Sequence, residues 1–139
     1  MPNYTLVGFD FGIKHIGVAV GQTVTQSANP LTALKAENGI PQWDVVDAII
    51  KEWGPKALLV GIPLNMDNSE QLITKQANKF ANRLADRYHL PVHRVDERLT
   101  TVEARQQLFE QGGYRALTKA QIDSYSAKLI IESWFRDHP

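Results

Sequence analysis

The residues from Tyr4 to Gly21 form two apolar, β-branched stretches joined by a short turn, with a single carboxylate, Asp10, at the hinge. The pattern predicts two strands side by side. It puts the acid at the C-terminal end of the first, where open α/β sheets keep their ligand sites. Gly12 suits a positive φ in the turn, while Gly8, Gly17 and Gly21 leave room for another backbone or a ligand phosphate to approach. An Asp at such a hinge also serves as a plain turn cap.

The chain's 139 residues, 43% hydrophobic and 22% charged, suit one globular domain over 1–139 with one core. Fifteen basic and fifteen acidic side chains cancel, so a nucleic-acid partner would have to be held by a local basic surface. The absence of cysteine excludes disulfides and thiolate zinc sites. His15, His89, His93 and His138 lack the His-Glu-x-x-His spacing, and no zinc is expected. No apolar run reaches the length of a membrane span, and the N-terminus lacks a leader pattern; a cytoplasmic protein without a membrane partner is expected.

Beyond the hairpin, strand and helix signals alternate. Thr25 to Lys35 is a candidate third strand, which Pro30 confines to an edge or an irregular segment. The steps between Trp43, Val46, Ile50 and Trp53 predict a helix over 41–53, stopped by Gly54-Pro55. Lys56 to Pro63 is a continuous apolar run, expected as a strand buried on both faces of a parallel sheet. Ile73, Ala77, Phe80, Leu84 and Tyr88 predict a helix over 70–88, with Lys75, Lys79, Arg83 and Arg87 solvated on its other faces. Residues 91–97 read as another strand. Thr100-x-x-Glu103 is a capping box opening a helix that runs to Gly112-Gly113, and Thr118-x-x-Gln121 opens a last helix through Ile122, Tyr125, Leu129, Ile130 and Trp134. Residues 112–117 are expected to be the least ordered.

Asp10 ends the first strand, Glu97 ends the strand before the first capping box, and Asp123 lies early in the final helix. In a sheet with parallel strands, two strand ends and a helix crossing the same face converge on one patch. Three clustered carboxylates repel unless cations compensate, and hard oxygen ligands with room for water select magnesium or manganese. Phosphodiester hydrolysis uses such a cluster: two ions about 4 Å apart activate the attacking water and stabilise the leaving oxygen. The alternative roles are a surface salt bridge from Glu97 to Arg98 or Arg94, and for Asp123 a favourable charge near a helix N-terminus.

Four ordered motifs carry a family resemblance: Phe9-Asp10-Phe11-Gly12-x-Lys14-x-Ile16-Gly17-Val18-Ala19, Val60-Gly61-Ile62-Pro63-Leu64-Asn65-Met66-Asp67, Asp96-Glu97-Arg98-Leu99-Thr100-Thr101 and Asp123-Ser124-x-Ser126-Ala127. They resemble the bacterial YqgF/RuvX family over nearly the whole chain. The resemblance implies a ribonuclease H-like α/β fold of the Holliday-junction resolvase superfamily, with a central mixed five-stranded sheet and helices on both faces. It implies a nuclease maturing the 5′ end of pre-16S ribosomal RNA in the cytoplasm, with some relatives linked instead to four-way DNA junctions or transcription. The family's acidic, metal-holding positions correspond to Asp10, Glu97 and Asp123. One departure from the wider resolvase pattern is Ser126, where those enzymes carry a fourth acid.

Lys14, Arg98, Arg105, Arg115 and Lys119 are candidate phosphate contacts around these acids, each but Arg98 equally readable as a solvated charge. Tyr114 would stack an unpaired base or anchor its loop. Backbone amides over 65–69 would bind a phosphate or belong to an ordinary helix cap. Two other classes compete. An actin-like ATPase needs a second lobe and a second phosphate loop that 139 residues do not accommodate; a binding module would contact ribosomal RNA or transcription complexes without chemistry. Junction cleavage would favour a two-fold dimer and rRNA trimming would not, leaving a monomer or weak homodimer as the expectation.

Overall fold

The N-terminal pattern folds as antiparallel strands β1 (Thr5–Asp10) and β2 (His15–Gln22). The structure is a computed structural model describing residues 3–63, 72–96 and 119–138, with side chains in the last segment from Ser124 onward. The β1–β2 register sets Gly8 opposite Ala19 and Asp10 opposite Gly17. After a turn the chain returns along the outer side of β2 as β3 (Ser27–Pro30) and β4 (Leu34–Glu37). These are the expected third strand in two pieces. Pro30 pairs with Ala19 and Leu34 with Ile16, so three residues, 31–33, oppose only Gly17 and Val18. Such a surplus is a bulge, and Pro30, which has no N–H to give a ladder, stands where it begins.

Asn38 and Gly39, with φ of 51° and 78°, then turn the chain into β5 (Ile40–Pro41). Positive φ at both central residues is the type I′ arrangement, whose twist suits a two-residue hairpin. On the other side of β1 lie β6 (Ala57–Ile62), buried along its whole length, and β7 (Val92–Asp96), both parallel to β1. The sheet order is β5-β4-β2-β1-β6-β7, with β3 beside β2. The expected mixed five-stranded sheet is present once β3 and β4 are taken as one bulged strand, and β5 is an addition the sequence reading did not foresee.

Three helices flank the sheet in the described residues: α1 (Trp43–Trp53), α2 (Leu72–Tyr88) and α3 (Lys119–Asp137). Pro41 belongs to β5, so α1 starts later than expected, but it stops as predicted at Gly54, left-handed at φ 54°, whose N–H reaches the Ile50 carbonyl at 2.9 Å. The expected capped helix after Thr100, and the segments 65–69 and 112–117, lie outside the described residues. Val7, Phe9, Val18 and Val60 pack against α1 and α2 on one face, where Phe80 meets Phe9 edge to face at 5.4 Å between centroids. Leu6, Ala19 and Leu59 pack against Ile130, Ile131 and Phe135 of α3 on the other. Helices therefore cover both faces, as the resemblance implies.

Several local expectations need correction. Arg87 is not simply solvated: its Nε and Nη2 donate to the two Asp47 oxygens at 2.8 and 2.7 Å, and its guanidinium lies 5.3 Å from the Trp43 ring centroid. Tyr88 adds its hydroxyl to Asp47 Oδ1 at 2.6 Å, tying α2 to α1. Gly12 does not take a positive φ; a side chain there would run into the His15 carbonyl. The room at Gly8 and Gly21 is taken by a helix rather than a ligand. A Cβ at Gly8 would lie 2.7 Å from Ile131 Cγ1, and one at Gly21 2.6 Å from Ile131 Cγ2.

Candidate active site

Alternation along β1 sends Leu6, Gly8 and Asp10 to the face that α3 covers, while Val7 and Phe9 enter the opposite core. Asp10 is half-buried at the last position of the strand. Its register partner across β6 is Gly61, which pairs in turn with Val95, and Ile62 pairs with Asp96. The C-terminal ends of three parallel strands thus meet at one edge, with β1 and β7 about 10 Å apart at ordinary strand spacing. Glu97 follows Asp96 directly in sequence and lies outside the described residues.

The approach of α3 is set by its small and polar residues. Ile131 and the Ala127 carbonyl lie over Gly8. Closer to the helix start, buried Ser124 accepts the Val18 N–H on its Oγ at 3.3 Å. Val18 faces the bulge, where the β2 ladder has no regular partner to offer, so the serine replaces a missing strand bond. Helix position 123 precedes Ala127 by four residues, about 6 Å along the axis. Asp10 lies two residues beyond Gly8, about 7 Å along the strand. The two therefore arrive at the same level of the sheet. The helix backbone is what brings 123 to the end of β1; its side chain is outside the described ones, as is that of Lys119 at the first position of α3.

Of the basic residues singled out in the sequence, Lys14 is exposed in the turn after Asp10, and its carbonyl accepts the Ala36 N–H at 2.8 Å. Arg98, Arg105 and Arg115 lie outside the described residues. Arg94 is committed elsewhere, donating to Asn78 and Asn82 of α2 at 2.7 Å each. Ser126 is 1% exposed, and its Oγ has no hydrogen-bond partner among the described residues. A carboxylate there would enter a dry interior. Among the described residues the marked electrostatic perturbation lies away from the site, between α1 and α2: Arg87, and after it Tyr88, hold the Asp47 carboxyl down at about 2, while burial foremost pushes the Tyr88 phenol up. That cluster is a clamp between helices.

Among the described residues no three His, Asp or Glu side chains group as a metal site, and the side chains of Glu97 and Asp123 lie outside them. The donor chemistry at Asp10 is nevertheless that of hard oxygen, half withdrawn from water, in a chain without cysteine, which fits a magnesium-type ion and not a thiolate-bound one. No described helix is long and apolar enough to cross a membrane.

The same architecture is found in solved resolvases. The Thermus thermophilus RuvC structure determined with a Holliday junction substrate matches with a TM-score of 0.56 at 16% identity, covering 96% of this chain and 94% of that one. The fowlpox virus resolvase complex matches with a TM-score of 0.58 at 12% identity, over 96% and 98%. At those identities the likeness is one of fold, and it identifies the sheet and its helices as the ribonuclease H-like arrangement. Sequence relatives are much nearer. Proteins of Shewanella denitrificans and Proteus mirabilis are each 58% identical over 135 residues, and one of Escherichia coli is 56% identical over 131; each comparison covers at least 94% of both chains. All three are named as candidate pre-16S rRNA nucleases. Residues 4–137 match the RuvX profile, described as Holliday junction resolvase, and on these grounds the chain belongs to the RuvX family.

Proposed function

We propose that this chain hydrolyses phosphodiester bonds in precursor 16S rRNA, maturing its 5′ end in the cytoplasm. The observation that carries the proposal is the position of Asp10. A half-buried acid closes β1 at the edge shared with the end of β7 and at the level of helix position 123. Asp10, Glu97 and Asp123 would hold the magnesium or manganese ions. Bound there, such ions supply an activated water and a counter-charge for the leaving oxygen. The chain itself contributes the rigid floor, because Phe9 and Phe11 on either side of Asp10 are locked against Phe80 at 5.4 and 5.6 Å. Lys14, with Arg98, Arg105, Arg115 and Lys119, would neutralise phosphates and fix the strand's position without reading its sequence.

The rRNA substrate is supported by the names of relatives sharing more than half of their residues with this chain. A four-way DNA junction is the second reading, favoured by the description of the family. The test is cleavage of precursor 16S RNA and of a four-way junction by purified protein with magnesium or manganese, beside Asp10→Asn. RNA cut by the native chain and spared by a folded Asp10→Asn variant is the expected result. Cutting of the junction alone moves the substrate to DNA, and no cutting of either overturns the nuclease reading.

A further inference from the structure

Beside the proposed catalytic edge the α3 face of the sheet continues onto β2 and β4. The residues there are basic. Alternation along β2 puts His15 on the same face as Gly17, the register partner of Asp10. Lys35 of β4 is paired directly with His15, so its side chain shares that face. The β4–β5 hairpin rises at this end of the sheet and closes a groove of about 700 Å³, lined by Lys14, His15, Lys35, Glu37, Asn38 and Gln42 among others.

The groove is fixed to the Asp10 turn by three contacts. Ala36 donates to the Lys14 carbonyl at 2.8 Å, and Gly39 donates to the Ile13 carbonyl at 2.9 Å. The Phe11 ring presses on Gly39, where a Cβ would lie 2.5 Å from Cζ. Phe11 directly follows Asp10, so the hairpin and the acid are positioned by the same turn. The Nδ1 of His15 is buried without a hydrogen-bond partner among the described residues. His15 lines the groove beside two ammonium groups, those of Lys14 and Lys35.

We propose that this groove is a phosphate subsite for the strand being cut, with Lys35 and His15 gripping the backbone on the β2–β4 side of Asp10. The proposal rests on the nuclease reading above and extends it, giving the substrate a defined direction across the sheet face. Lys35 and His15 are positioning residues: they hold phosphates and take no part in bond cleavage. Glu37, two residues from Lys35 on the same strand face, opposes them and weakens binding.

The test is equilibrium binding of a fluorescein-labelled single-stranded RNA spanning the 5′ end of precursor 16S rRNA, measured in the full chain carrying Asp10→Asn to prevent cleavage. Binding is followed across a salt series, with a four-way DNA junction as the second probe. Adding Lys35→Ala should weaken RNA binding about tenfold at low salt and flatten the log–log salt dependence by about 0.7, one phosphate contact on a single strand. Lys35→Arg should restore both, His15→Gln should weaken binding by a smaller factor, and Glu37→Gln should tighten it. Lys35 and Glu37 are exposed, so these variants are expected to fold, which thermal melts verify. A parent that binds RNA with a steep salt dependence, unchanged by Lys35→Ala and Glu37→Gln, overturns the subsite and spares the nuclease reading. A parent that binds neither probe overturns both. Loss confined to the junction assigns the groove to DNA and refutes the RNA path.

Discussion

Replacing Gly8 by alanine probes the link between packing and site. The new methyl would lie 2.7 Å from Ile131 Cγ1 and 3.0 Å from Cδ1, against a carbon–carbon optimum near 3.5 Å. Ile131 cannot swing aside, since its Cγ2 already fills the space above Gly21. The helix must therefore retreat by about 0.8 Å. Overpacking of this kind costs about 1–3 kcal/mol, or roughly 3 to 12 °C in the thermal midpoint at this chain length. Activity should fall further than stability, because displacing α3 moves position 123 away from Asp10, and misplacement by about 1 Å costs up to ~100-fold in rate. The assay is a double-mutant cycle. Ile131→Ala alone should cost about 2–5 kcal/mol, but the methyl introduced by Gly8→Ala would partly fill that cavity. The pair should then be more stable than the sum of the single effects by about 1–2 kcal/mol. Additive effects, or a Gly8→Ala chain that melts with the parent, would refute the close approach of α3 as the reason for glycine here.

Asp47 supplies a pH dependence. Its folded pKa of about 2 lies below the ordinary 3.8, so its contribution is complete above pH 4 and disappears as pH falls towards 2. Asp47→Asn should flatten the acid limb of a stability–pH curve in that window, and an unaltered limb would show the Arg87 pair to be silent. Ser124→Ala should leave the Val18 N–H unpaired, lowering stability by about 1–3 kcal/mol in denaturant melts. Full stability in that variant would mean that another acceptor takes the N–H.

Most of the frame was legible in the sequence because each signal was local. The apolar run at 57–62 could satisfy itself only at the centre of a sheet, and it does. Gly54 stops α1 by the left-handed conformation its place predicts. The Asn38-Gly39 pair is a hairpin signal, yet the Pro41 and Trp43 that follow also fit the start of a helix. Other features join residues far apart in the chain. Arg87 finds Asp47 forty residues away, and periodicity along α2 alone leaves it on a wet face. The purpose of Gly8 and Gly21 needs the position of α3, and Ser124 matters only because a bulge elsewhere strips Val18 of its strand partner. At the site, Asp10 could be placed from its strand, whereas the roles of Glu97 and Asp123 depend on how distant elements converge.

The Val18–Ser124 hydrogen bond spans 106 residues and fastens α3 onto a hairpin made at the other end of the chain. Its consequence concerns the order of events during synthesis. Among the described residues the core under α1 and α2 draws on positions up to Val92, all made before α3. Among the described residues the opposite face, which carries Asp10, is covered by α3. Long-range closure of this kind is slow compared with hairpin formation, so docking of α3 is expected to follow formation of the β1–β2 hairpin.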